Sequence, residues 1–176
     1  MTRAAILLIL SLVLTGLFIE TGYAETAQEY LNRGDAKADA GDMQGAIEAF
    51  SKAIKADPKN AQAYYERGYA HAITQNFSKA DKDFSKAIEI NPNFAQAYVR
   101  RGAVRNNQND NKGAIKDFTK AIELRPVYAE AYYVRGYVKI EMGQKKSGCE
   151  DLTKAGELGL SEQPQFNTVL NMKCSK

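Results

Sequence analysis

Small and apolar residues recur along this chain with two nested periods. Over short stretches they fall at helical spacing, with the fourth, eighth and eleventh positions on one face. The whole arrangement then returns every 34 residues without a gap, from Ala27, Ala61, Ala95 and Ala129. The fourth residue of each unit is Tyr30, Tyr64, Tyr98 or Tyr132, and the seventh and eighth are always Arg-Gly. The twentieth is small (Ala46, Ala80, Ala114, Gly148), and the twenty-fourth is large and apolar (Phe50, Phe84, Phe118, Leu152). The twenty-seventh is Ala53, Ala87, Ala121 or Ala155. Small residues opposite large ones are what two closely packed helices require. Turn signals divide each unit at Gly41-Asp42, Gln75-Asn76, Asn109-Asp110-Asn111 and Gly143-Gln144, and Pro58, Pro92 and Pro126 close the first three. The pattern predicts helices near 26–39, 43–56, 60–73, 77–90, 94–107, 111–124, 128–141 and 145–158.

These recurring positions resemble the tetratricopeptide repeat family over residues 27 to about 160. The resemblance implies an all-α fold, a right-handed α-solenoid with a concave groove. Its four units would be 27–60, 61–94, 95–128 and 129–162, in a domain spanning 25–160, with 161–176 as a capping helix and tail. The chain departs from the family in its seventh-position Arg, where Leu is usual, and in Leu160, where the closing proline is expected. The stretch GCEDLTKAGELG is similar to the closing repeat of many exported bacterial members. A helix near 162–173, with Ser161 and Pro164 at its start, carries Phe166, Val169, Leu170 and Met172 to cover the last apolar face.

In the resembled family the groove is lined by the second, fifth, ninth, twelfth and thirteenth residues of each first helix. Fifth and ninth positions here are Leu31 and Asp35, Tyr65 and Tyr69, Val99 and Ala103, Tyr133 and Tyr137. Asn106, Asn107 and Ile140 complete the expected lining. Tyr65/Tyr69 and Tyr133/Tyr137 are four residues apart, so each pair should form an aromatic ridge. Tyrosine offers large contact area with a polar tip and is enriched at binding hot spots. Packing between neighbouring units is the alternative use of these rings. Family members that capture a chaperone's terminal carboxylate carry Lys at the fifth position and Asn at the ninth. This chain has neither, so the expected ligand is a peptide or protein segment held by apolar and amide contacts.

The seventh-position arginines read as scaffold. Arg67, Arg101 and Arg135 each have an aspartate sixteen residues later: Asp83, Asp117 and Asp151. A helical hairpin can bring those positions together as a structural ion pair. Arg33 lacks such a mate, because Ala49 stands at that place.

The chain opens on a different kind of segment. After Arg3, residues 4–19 are almost wholly apolar, and Gly22-Tyr23-Ala24 follows. This reads as a signal peptide over residues 1–24, cleaved after Ala24, with a retained membrane anchor as the alternative. The expected location is the periplasm or outside the cell, without stable membrane insertion after cleavage. In such a compartment Cys149 and Cys174 are expected to form a disulfide, closing a loop worth about 3 kcal/mol in the chain-entropy model. Free thiols or a redox pair are the alternatives.

Charge adds little. A formal net charge of +3 and 26% charged residues, with no basic cluster, give no reason to expect nucleic acid. The sole histidine, His71, has no apparent nucleophile partner, and no phosphate loop or metal-ligand spacing occurs. No cofactor or metal is expected. A non-catalytic interaction scaffold outside the cytoplasm is therefore the leading expectation. A self-associating repeat protein is the alternative, and an enzyme with an unrecognised site is the third class.

Overall fold

A computed structural model describes residues 25–174. The expected signal peptide lies outside these residues. The described chain forms nine α-helices: α1 (Ala27–Asp39), α2 (Met43–Ala56), α3 (Ala61–Ile73), α4 (Phe77–Ile90), α5 (Ala95–Asn107), α6 (Asn111–Leu124), α7 (Ala129–Glu141), α8 (Lys145–Glu157) and α9 (Pro164–Cys174). A short 3₁₀ turn, Leu160–Glu162, precedes α9. Among the described residues there is no strand. The first eight helices begin and end within one residue of the positions predicted from periodicity.

Local chemistry explains the boundaries. Thr26 and Glu29 form a reciprocal capping box at the start of α1, while Asp42, Asn60 and Asp110 accept backbone N–H bonds at the starts of α2, α3 and α6. Every hairpin turns at the fifteenth residue of its unit, which takes a left-handed conformation: Gly41 (φ 80°), Gln75 (φ 59°), Asn109 (φ 65°) and Gly143 (φ 80°). The following N–H then reaches back to the first helix, as in Asp42 to Lys37 and Asp110 to Arg105, each at 2.8 Å. This closure satisfies carbonyls that a helix end leaves open.

Consecutive helices pack as antiparallel hairpins, α1 with α2 through α7 with α8, and each hairpin then packs on the next. Phe50, Phe84, Phe118 and Leu152 are fully buried, each opposite the Gly of its own unit. Burial of each such side chain contributes about 1.5–3 kcal/mol. At Gly136 a Cβ would meet the Gly148 carbonyl oxygen at 2.7 Å, so backbone touches backbone there. The clusters around Phe50, Phe84 and Phe118 each draw residues from successive hairpins, so the core runs along the array. Neighbouring first helices, α3 with α5 and α5 with α7, also approach one another, whereas no neighbouring second helices match that approach. The array therefore bends with its first helices on the inside.

The expected ion pairs form. Arg67, Arg101 and Arg135 each place Nε and Nη2 on the two carboxylate oxygens of Asp83, Asp117 and Asp151, at 2.7–2.9 Å. Each guanidinium also donates its remaining arm to a hydroxyl of the preceding unit: Ser51, Ser85 and Thr119, at 3.2, 3.0 and 3.1 Å. The arginine thus ties two units together as well as two helices. Arg33 has no unit before it and pairs instead with Glu25.

Helix α9 keeps the 34-residue phase. Phe166 stands one period after Tyr132, where a fifth unit would carry its tyrosine. Gly156 replaces the isoleucine of the earlier units (Ile54, Ile88, Ile122), and its Cα lies against the Phe166 ring. The disulfide Cys149–Cys174, with Cα atoms 5.7 Å apart, anchors the far end of α9. Its Cys149 stands at the position of Asp81, which joins α4 to α5 through Arg105, and Cys174 stands one residue past the position of Arg105. The cap is a truncated first helix of a fifth unit, pinned by a covalent bond.

Candidate ligand groove

The inner face is built from one side of α1, α3, α5 and α7, with α9 closing one end. Tyr69 and Tyr137 are exposed on this face, 40% and 37% accessible. Between them Ala103 leaves a gap. The result is a pocket of about 280 Å³ lined by Ala103, Asn106, Asn107, Tyr133, Tyr137 and Val134, with Phe118 and Val138 behind. A small side chain at the ninth position of the third unit, beside the large Tyr137 of the fourth, makes this hollow.

Several expected lining residues lie elsewhere. Leu31 and Val99 are core residues, 5% and 1% exposed, and do not line the groove. The fifth position sits where a first helix meets its partner and the next unit, so a short aliphatic side chain sinks there. Leu31 joins Phe50 and Ala63, and Val99 joins Phe118 and Ala131. Tyrosine is too long to sink fully. Tyr65 is half-buried against Phe84 and Phe94, with ring centroids at 5.7 and 4.8 Å, and Tyr133 lies 5.9 Å from Phe166 of the cap. The two expected tyrosine ridges are therefore each one packed ring and one exposed ring. Ile140 leans back on Gly148 at the turn end of its hairpin. Asn107 is exposed and donates to the Ala103 carbonyl at 3.0 Å, and Asp35 is exposed near the opposite end of the face.

The sixth position, absent from the expected lining, supplies the charged centre. Arg100 lies 3.3 Å from Glu130 and 5.6 Å from the centre of the Tyr69 ring. Burial and the Glu130 charge push the Tyr128 hydroxyl up to about 12, and it stays protonated at neutral pH. Glu66, also a sixth-position residue, accepts from Gln62 at 2.5 Å. Its carboxyl is held above the usual range, first by burial and then by the Asp35 charge. Asp35 is raised in the same way by burial and by Asp39. The sixth position breaks the repeat, as Asn32, Glu66, Arg100 and Val134, and that variation is the sequence signal that marks Arg100 and Glu66. At the cap end Lys173 pairs with Glu141 at 2.5 Å and lies 5.2 Å from the Tyr137 ring centre.

Among the described residues no group of three or more His, Cys, Asp or Glu side chains could hold a metal ion. Nor is any described helix long and apolar enough to cross a membrane.

An array of helical hairpins with an open, aromatic inner face defines a repeat protein of the solenoid class. Models of the tetratricopeptide repeat match residues 31–95 and 129–158, and a TPR repeat model matches 104–143. The chain belongs to the tetratricopeptide repeat family. Among solved structures it is similar to a crystal structure of MamA protein, with 28% identity and a TM-score of 0.71 over 84% of this chain and 81% of that one. It shares its fold with MamA from Desulfovibrio magneticus, at 24% identity and a TM-score of 0.76 over 84% and 82%. The second TPR domain of human RPAP3, solved in complex with the HSP70 peptide SGPTIEEVD, is 28% identical, with a TM-score of 0.63 over 64% and 94%. No curated protein matches the chain by sequence.

Proposed function

We propose that this protein is a non-catalytic scaffold that docks a peptide or protein segment on its inner face, and that it does so outside the cytoplasm. The observation that carries the reading is the open pocket over Ala103, walled by Tyr133 and the exposed ring of Tyr137, with Tyr69 exposed one unit earlier on the same face. Exposed aromatic rings beside a hollow with two amide side chains suit a partner's apolar anchor and backbone. Similarity to a repeat domain solved with a bound peptide supports the same reading. Export rests on the apolar segment at residues 4–19 and on the two cysteines.

Crosslinking from residue 103 in cells should capture one partner, and Tyr69→Ala with Tyr137→Ala should abolish capture while leaving helicity unchanged. Capture that survives the double substitution would refute the groove assignment. Self-association is a second reading, favoured by the array's two unmatched ends. Arg33 has no hydroxyl in a preceding unit, and Thr153 has Val169 one step on where an arginine would reach it. Pairing them between two copies would require α9 to leave the face it covers, and a sedimentation run that shows only monomer would remove the idea.

A further inference from the structure

The inner face is opposite in sign to the rest of the molecule. It carries five carboxylates, Asp35, Asp39, Glu66, Glu130 and Glu141, against two cations, Arg100 and Lys173, on a chain whose formal charge is +3. The two cations are already engaged by Glu130 and Glu141. The uncompensated charge is therefore concentrated at the α1–α3 end. Among the described residues no cation lies within ion-pair distance of Asp35, Asp39 or Glu66. Asp35 and Asp39 repel one another, and so do Asp35 and Glu66. Two steps along the array, between α5 and α7, lies the hollow over Ala103. The exposed ring on its wall, Tyr137, already accepts a cation from within the chain, Lys173, and Tyr69 one unit earlier accepts Arg100.

We infer that the docked segment is basic. It places an apolar side chain in the Ala103 pocket and Lys or Arg side chains against Asp35, Asp39 and Glu66. The inference rests on the groove reading above and adds the chemistry of the partner. Geometry sets the spacing. Packed helices lie about 8–10 Å apart, so two steps cover roughly 16–20 Å. An extended peptide advances about 3.3 Å per residue, so the cation should stand about five or six residues from the apolar anchor. A partner cation would relieve the mutual repulsion of the three carboxylates, which an acidic segment would worsen.

Fluorescence anisotropy with the full chain tests this, with three labelled extended peptides made in both chain directions. The first carries leucine and, about six residues away, two lysines; in the second glutamines replace the lysines; the third is SGPTIEEVD. The lysine peptide should bind at least tenfold tighter than the glutamine peptide at low salt, and the advantage should shrink in high salt. Asp35→Asn with Glu66→Gln should erase the advantage, so that the lysine and glutamine peptides bind alike. Ala103→Trp should weaken both, and Tyr137→Ala repeats that arm should Ala103→Trp not fold. Equal affinity for the lysine and glutamine peptides, both weakened by Ala103→Trp, overturns the basic preference and leaves the groove reading standing. Tighter binding of SGPTIEEVD overturns the inference, as does a failure of all three peptides to bind. In that last case the cellular crosslink from residue 103 decides separately whether the groove is used at all.

Discussion

Asp117 and Asp151 each gather three charged hydrogen bonds, Asp151 from Arg135 and Lys139, and Asp117 is the more deeply buried of the two. It is 2% exposed and receives Arg101 through two bonds and Arg105 through a third at 2.8 Å. Asp117→Ala would leave the Arg101 guanidinium without its carboxylate, while Arg105 keeps Asp81, and the loss costs about 3–5 kcal/mol. Urea denaturation should read that loss, and an unchanged midpoint would remove the clamp from the account of stability. Removing only the inter-unit arm, as in Ser85→Ala, should cost about 0.5–1.5 kcal/mol. His71 holds the eleventh position of its unit, where the others carry Lys37, Arg105 and Lys139. Its Nδ1 is buried without a hydrogen-bond partner, and burial lowers its pKa against the opposing pull of Asp83. Well above its ordinary value of 6.5 it is neutral in both the folded and the unfolded chain and adds no pH dependence. As pH falls through 6.5 the unfolded chain binds a proton that the folded one resists, so stability declines. His71→Gln should flatten that part of the decline, measured as denaturation midpoints at pH 7.5 and 5.5.

At the scale of the element, the hairpin is set by one turn residue and one close approach. Gln75 adopts a left-handed backbone that glycine takes without strain at Gly41 and Gly143. Gln75→Gly should relieve about 1 kcal/mol of that strain, partly offset by the greater freedom of glycine in the unfolded chain. A thermal melt should show a small rise, and a clear fall would mean that Gln75 makes a contact outweighing its conformation. Gly136→Ala should have the opposite effect and cost at least 1–3 kcal/mol. The obstructing atom is the backbone oxygen of Gly148, which cannot rotate aside as a side chain can.

For the whole molecule, stability depends on how the array ends. Among the described side chains of α9 Phe166 is the buried one, and Met172 near its far end is 76% exposed, so the helix has a narrow apolar footing. The Cys149–Cys174 bond supplements it. Cys149→Ser with Cys174→Ser should lower stability by about 2–4 kcal/mol, and amide exchange should rise first in α9 and then in α7 and α8. Uniform exchange across all hairpins would show that the cap is not a separate unit. The periodic part of this architecture was legible from end to end. Each hairpin repeats the same small-against-large pairing, and the ion pairs follow from a fixed offset of sixteen. The inter-unit arms of the arginines were written in the sequence too, in Ser51, Ser85 and Thr119, but they emerge only once units are set side by side. The phase of Phe166 is another such signal, visible as soon as the count of 34 is carried past the fourth unit.

Helix number, hairpin boundaries and the Arg–Asp partnership all followed from local spacing, because each depends on contacts within a unit or between adjacent ones. The inner face did not. Whether a fifth-position side chain is core or groove depends on its length relative to the gap left by the neighbouring unit. Leu31 and Val99 therefore sink while Tyr65 and Tyr133 are half-covered by Phe94 and Phe166. The pocket over Ala103 and the pairing of Arg100 with Glu130 arise between units that differ from one another. Repetition in sequence reports what the units share, and only their packing reveals what those differences build.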